Sequence, residues 1–146
     1  MLKRASTLVH FALVFFAFIL SAHAATEPAT DSVIRQQLVK TLLSEGAEQQ
    51  TNLTQLADTG SKLVRDVLIA WTRDSVYVYE TNDAKTPILL EDQTDADGKA
   101  RAVRIVDGQF LKDDKGQDLK LASADLTSLD TDMRLRSAIQ QTLDAL

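Results

Sequence analysis

Between Leu63 and Tyr79 the spacing of apolar residues changes period, and this change limits what the chain can fold into. Leu63, Val64, Val67, Leu68 and Trp71 recur at steps of three and four, with Lys62, Arg65 and Asp66 off the stripe. That spacing predicts an amphipathic helix. A few residues on, Val76-Tyr77-Val78-Tyr79 is β-branched and aromatic. Such a run predicts a strand, with the valines on one face and the tyrosines on the other. A helical stripe and a strand face each need a covering layer, so the predicted class is α+β.

The residues before Leu63 extend the helical part. Ile34, Leu38 and Leu42 lie at helical spacing, with Arg35, Gln36, Gln37 and Lys40 expected to turn away. Asp31 or Ser32 is placed to cap this helix, and Ser44-Glu45-Gly46 to end it. A more polar segment, Ala47–Ala57, has Leu53 and Leu56 as its apolar contacts, and Asp58-Thr59-Gly60 is a turn. Three short helices over residues 33–72 form a predicted layer that is similar to helix-pair repeats.

Residues 75–122 read as β-rich. Pro87–Leu90 predicts a second strand, and Glu91–Lys99 an acidic loop. Asp107-Gly108 lies between Val103–Val106 and Gln109–Leu111, which predicts a two-residue type I′ hairpin. Asp113–Gly116 is a further turn, before Asp118–Leu121. An antiparallel meander of three to five strands is expected. Residues 131–146 then predict a closing helix. Asp130, Thr131 or Asp132 can cap it, and Leu135, Ile139, Leu143 and Leu146 form its stripe. The helix runs to the last residue without a glycine cap or polar tail, from which we expect the sequence to be part of something longer.

Met1–Ala24 has the layout of an export signal. Lys3-Arg4 precedes the apolar run Leu8–Leu20, and Ala22-His23-Ala24 supplies a small-x-small cleavage site. The run is shorter than the roughly 20 residues that span a bilayer. Cleavage after Ala24 would leave one exported domain, residues 25–146, on the periplasmic side of the inner membrane or in the periplasm. It would remove His10 and His23, the chain's two histidines, from a sequence with no cysteine. Formal charge is −5, and loss of Lys3 and Arg4 leaves 14 basic against 21 acidic residues, or −7. An acidic chain without a basic cluster is not built for nucleic acid or anionic lipid.

Without His or Cys, the exported part has neither a Ser-His-Asp or Cys-His site nor the usual zinc ligands. No Gly-rich phosphate loop occurs. Glu91, Asp92, Asp95 and Asp97 share one loop, but an EF-hand register with Gly98 at its sixth position puts Gln93 first and Arg104 twelfth. Both should be acidic, so the loop reads as solvated. Asp113, Asp114 and Asp118 suit turns around Gly116. Trp71 reads as core or interface, and Tyr77 and Tyr79 as strand residues before they read as a stacking platform. Asn52-Leu53-Thr54 matches the glycosylation sequon. No catalytic residue, metal or cofactor is expected. Arg134 and Arg136, either side of Leu135, are the sharpest charge feature, suited to docking on an acidic partner or on another face of the same domain.

From Leu63 onward the order of motifs resembles a known family. The helix Leu63–Trp71 runs into Arg73-Asp74-Ser75-Val76-Tyr77, a variable β region leads to Asp125-Leu126, and Met133-Arg134-Leu135-Arg136-Ser137-Ala138-Ile139 opens the last helix. This resembles the N-terminal extracytoplasmic region of the urea-type ABC transporter permease subunit, in the branched-chain amino-acid permease family. The likeness covers most of residues 33–146 and is sharpest over Val67–Tyr79 and Asp125–Leu146. Met133 stands where the family has Asn, Ser137 follows the second arginine, and Arg73-Asp74 replace the glycine before the strand. The family's membrane domain is not in this sequence, so no conduction residue carries over. The resemblance implies HEAT-like helices and a non-catalytic domain that contacts a periplasmic substrate-binding protein or its own membrane domain, with the membrane involved only indirectly. A free-standing secreted α+β module for a small ligand is the alternative. The permease reading expects the gene to continue into apolar spans, or a permease gene beside it.

Overall fold

The computed structural model describes residues 30–146. The expected leader, with His10 and His23, lies outside them. Among the described residues four α-helices and a five-stranded antiparallel sheet form an α+β fold, as predicted. The helices are α1 (Asp31–Leu43), α2 (Gly46–Ala57), α3 (Lys62–Thr72) and α4 (Met133–Ala145). The strands are β1 (Val76–Glu80), β2 (Lys85–Leu90), β3 (Ala100–Arg104), β4 (Lys120–Leu121) and β5 (Thr127–Ser128), with a short 3₁₀ turn at Ser123–Asp125. None of the described helices is long and apolar enough to cross a membrane.

The apolar stripes meet in one core. Ile34, Leu38 and Leu42 of α1, Leu53 and Leu56 of α2, Val64, Val67, Leu68 and Trp71 of α3 and Ile139 of α4 are buried together with Val76 and Ile105. Leu135, Leu143 and Leu146 pack at its edge. The joint between α1 and α2 is held by polar side chains, because a two-residue connection leaves the last carbonyls of α1 without helical partners. The Gln49 amide donates to the Ser44 and Thr41 carbonyls at 2.6 and 3.3 Å. Asn52, 2% exposed, donates to the Ser44 hydroxyl and accepts from Gln37. The sequon thus lies inside α2 with its asparagine buried, and the folded chain has no room for a glycan there.

The sheet order is β4-β3-β2-β1-β5. The meander runs from β1 to β4, but the strands extend past the predicted limit at Ala122. β5 returns to the opposite edge and pairs Tyr77 with Ser128 and Val78 with Thr127. Along β1, Val76 faces the helices and is fully buried. Tyr77 and Tyr79 share the other face with Ile88 and Thr86, their partners in register. Ile88, Ala100 and Ala102 are buried apart from the helical core.

Two loops are built alike. Asp95 pairs its backbone with Lys99 and Gly98, and its carboxylate accepts from the Asp97 and Lys99 N–H groups at 3.0 Å. Asp113 does the same with Gln117, Gly116 and Lys115. Each is a turn closed by a left-handed glycine, a three-residue hairpin loop with a bulge. The type I′ hairpin at Asp107-Gly108 does not form. The Arg104 N–H donates to the Gln109 carbonyl at 2.9 Å, which leaves a four-residue loop, Ile105–Gly108. A type I′ turn needs positive φ at both central residues, and only Gly108 has it, at 71°. Burial decides the outcome, since Ile105 is pulled into the helical core. Arg35 also does not turn away as expected. Its guanidinium donates to the Ile105 carbonyl at 3.1 Å and lies on Gly108, where a Cβ would come within 2.9 Å of it.

Candidate docking face and cleft

α4 begins with a well-formed cap. The Asp132 carboxylate accepts from the Leu135 N–H at 2.7 Å, satisfying a donor that the first helical turn leaves open. α1 differs from expectation here: Thr30, not Asp31 or Ser32, stands at its cap position, with no side-chain bond. Behind the α4 cap the two arginines diverge. Arg136 folds back on its own domain, with Nε on the Thr131 hydroxyl at 2.8 Å and Nη2 3.2 Å from both Asp74 carboxylate oxygens. Arg134 is exposed and has no partner among the described residues.

Asp74 is held in place by the end of α3. The Asp74 N–H donates to the Trp71 carbonyl at 3.1 Å, and the Ser75 N–H to the Ala70 carbonyl at 2.9 Å. These two bonds make a Schellman ending, whose left-handed position is usually glycine. Here it is Asp74, at φ 55°. The carboxylate thus reaches Arg136 from a backbone conformation that side chains other than Asn and Asp resist.

Arg134 and Met133 stand at one end of an open groove between α2 and α4. Leu53 and Thr142 lie deep in it, small residues such as Ala57, Ser137 and Ala145 line its sides, and its volume is about 910 Å³. Thr142 joins the two helices at the floor, donating to the Ala138 carbonyl at 3.0 Å with the Leu53 carbonyl 3.5 Å away. Met133 is 88% exposed, the most exposed of the large apolar side chains described.

The acidic loops are engaged within the sheet. Arg101 makes a two-pronged pair with Glu91 at 2.7 and 2.8 Å and reaches Asp118 at 3.2 Å. Its guanidinium lies 4.0 Å from the centre of the Phe110 ring. Lys112 also bonds Asp118, and Lys120 pairs with Asp95 at 3.3 Å. The Lys112 ammonium, then Arg101, hold the Asp118 carboxyl below its ordinary value, against the opposing effect of desolvation. The Lys99 N–H and Lys120 do the same for Asp95. Glu91, ahead of Asp118, holds the Arg101 guanidinium above its ordinary value. No three acidic side chains among the described residues converge to hold a metal ion.

Trp71 is a core residue, 1% exposed, and its indole N–H donates to the Leu129 carbonyl at 3.2 Å. Tyr77 and Tyr79 are half-buried. Beside Trp71 lies a cleft that no motif announces. It opens between the α1–α2 joint, the far end of β1 and β5, and the start of α4, with a volume of about 650 Å³. The helices cover Val76 of β1 but stop short of Val78, which stays partly open on the same face.

Comparison with family models, with curated proteins and with solved structures finds no match to this chain.

Proposed function

We propose that this chain is a non-catalytic, extracytoplasmic contact domain, and that the contact is made by the α2–α4 face. The setting that best accommodates it is the ABC-type urea or amide permease, through the resemblance at Val67–Tyr79 and Asp125–Leu146. The partner is then the substrate-binding protein or the permease's own membrane domain. The observation that carries the reading is the α4 entrance: an exposed Met133 and an unpartnered Arg134 at the mouth of a groove lined by small side chains. An exposed apolar tip beside a free guanidinium is the residue pairing that interface centres favour. Arg136, occupied by Asp74, holds the helix start in position, and Arg134 makes the contact.

A photo-crosslinking residue at Gln141, in the chain expressed in its own cells, tests this. The expected product is a crosslink to a transporter component, lost in Met133→Asp and Arg134→Glu. Crosslinks that avoid every transporter component, or that survive both substitutions, would reject the reading.

A further inference from the structure

We propose that Asp97-Gly98, at the tip of the β2–β3 loop, is a site of spontaneous aspartate isomerisation, and that the fold protects the chain's other Asp-Gly pair, Asp107-Gly108, from the same reaction. The proposal is independent of the α2–α4 face.

The dipeptide sets the chemistry. The glycine amide nitrogen loses its proton and attacks Cγ of the protonated aspartate carboxyl. A C–N bond forms, a carboxyl C–O bond breaks, and the hydroxyl leaves with the amide proton as water. The product is a five-membered succinimide. Water then adds to one of its two carbonyls, and the C–N bond at that carbonyl breaks. Opening at Cγ restores aspartate. Opening at the main-chain carbonyl leaves isoaspartate, in which the backbone runs through Cβ and Cγ. Water is returned, so the reaction needs no co-reactant. Glycine favours the attack because it has no Cβ to obstruct a close approach.

The surroundings separate the two pairs. Both glycine nitrogens are equally engaged, Gly98 donating to the Asp95 carbonyl at 3.0 Å and Gly108 to the Arg104 carbonyl at 2.8 Å. The carboxylates differ. Asp107 is gripped by Arg104 at 3.2 and 2.5 Å and also accepts from the Gln109 N–H at 3.0 Å. The Arg35 guanidinium lies over Gly108 and ties this loop to α1 through the Ile105 carbonyl. Asp97 and Gly98 are exposed, and the Asp97 carboxylate has no partner among the described residues. Nothing stands within 4 Å of the position a Cβ would take on Gly98. The attack requires the loop to open briefly. An exposed tip held by a few solvent-facing bonds opens at lower cost than a loop fastened to the core. Isomerisation then lengthens the main chain inside a turn whose Asp95 carboxylate must reach the Asp97 and Lys99 N–H groups together, so the modified loop loses that spacing.

Peptide mapping with fragmentation that separates isoaspartate from aspartate tests this. The folded chain is incubated for weeks at neutral pH, well below its unfolding midpoint, beside the chain unfolded in guanidinium. The unfolded chain should react at similar rates at both pairs. The folded chain should form at least about tenfold more isoaspartate at 97 than at 107. Asp97→Glu should abolish the product at 97, because the ring would need a sixth member and closes far more slowly. Arg104→Ala should release Asp107 and raise the yield there. Equal yields at the two pairs in the folded chain, no isoaspartate at 97 while the unfolded chain forms it, or an Arg104→Ala variant whose Asp107 stays unmodified would each overturn the inference.

Discussion

Asp74 makes the clearest demand that any one residue places on this backbone. It ends α3 at φ 55° where glycine is the usual choice, and the same carboxylate anchors Arg136. Two effects of opposite sign therefore meet at one position, and substitutions separate them. Asp74→Ala adds steric strain, because alanine tolerates the left-handed conformation less well than aspartate, and loses the ion pair, so it should cost about 1–2 kcal/mol. Asp74→Gly relieves the strain and should stay within about 1 kcal/mol of the parent. Arg136→Ala, which removes the exposed pair and the bond to Thr131, should cost about 0.5–1 kcal/mol. Urea unfolding at neutral pH gives all three values. If Asp74→Gly proves as costly as Asp74→Ala, strain is not what distinguishes them. The sequence does show two polar residues, Arg73-Asp74, between the helical stripe and the strand. It does not show that the αL residue and Arg136, 62 positions apart, would meet, because that depends on how α4 packs. Arg134 and Arg136 look alike in the sequence for the same reason, and only the fold separates the paired one from the free one.

The β3–β4 region depends on ion pairs whose sign with pH can be worked out. Asp118 and Asp95 have folded-state carboxyls held below their ordinary value of 3.8. The unfolded chain therefore binds protons first as pH falls, and the stabilisation they provide is present above that value and is lost as pH drops through the lower, folded one. Asp118→Asn should destabilise the protein at neutral pH and flatten the decline of its melting temperature as pH falls through and below the ordinary carboxylate range. An unchanged acid slope would mean that these pairs do not carry it. In the neighbouring loop, Gly108→Ala should cost about 1–2 kcal/mol, from the positive φ and from displacing Arg35. In an Arg35→Ala background it should cost less, since the added methyl then has room. The helical stripes and the β1 alternation are legible in the sequence because burial repeats along each element. The 105–108 loop is not, because Ile105 obeys the helical core rather than local turn preference. β5 gives no signal either. Two polar residues become a strand only because β1 offers them an edge. The cleft is legible in no motif at all, since it comes from a difference in length between two layers.

Across the whole molecule, apolar burial is divided between the two faces of the sheet. Ile139 belongs to the helical core, and Ile88 lies on the face away from it, yet both are fully buried. Ile139→Ala and Ile88→Ala should each cost about 2–5 kcal/mol, and fluorescence and circular dichroism should report the same midpoint for each variant. Separate midpoints would mean that the sheet and the helices unfold as two units. Trp71 argues for one unit, because its bond to the Leu129 carbonyl fastens α3 to the segment after β5. The place of β5 has a further consequence, in time rather than in space. β1 lies next to β5, the last of the described strands, so a polypeptide emerging from its N-terminus holds the inner strand of its sheet with one side open until residue 128 arrives. The helices α1 to α3 can collapse early, but the Trp71 indole has no Leu129 to bond, and Ile139 is absent from the core. The emerging chain is left as a partly formed layer with an exposed strand edge. Its vulnerability to aggregation and proteolysis should be greatest just before residues 127–146 emerge.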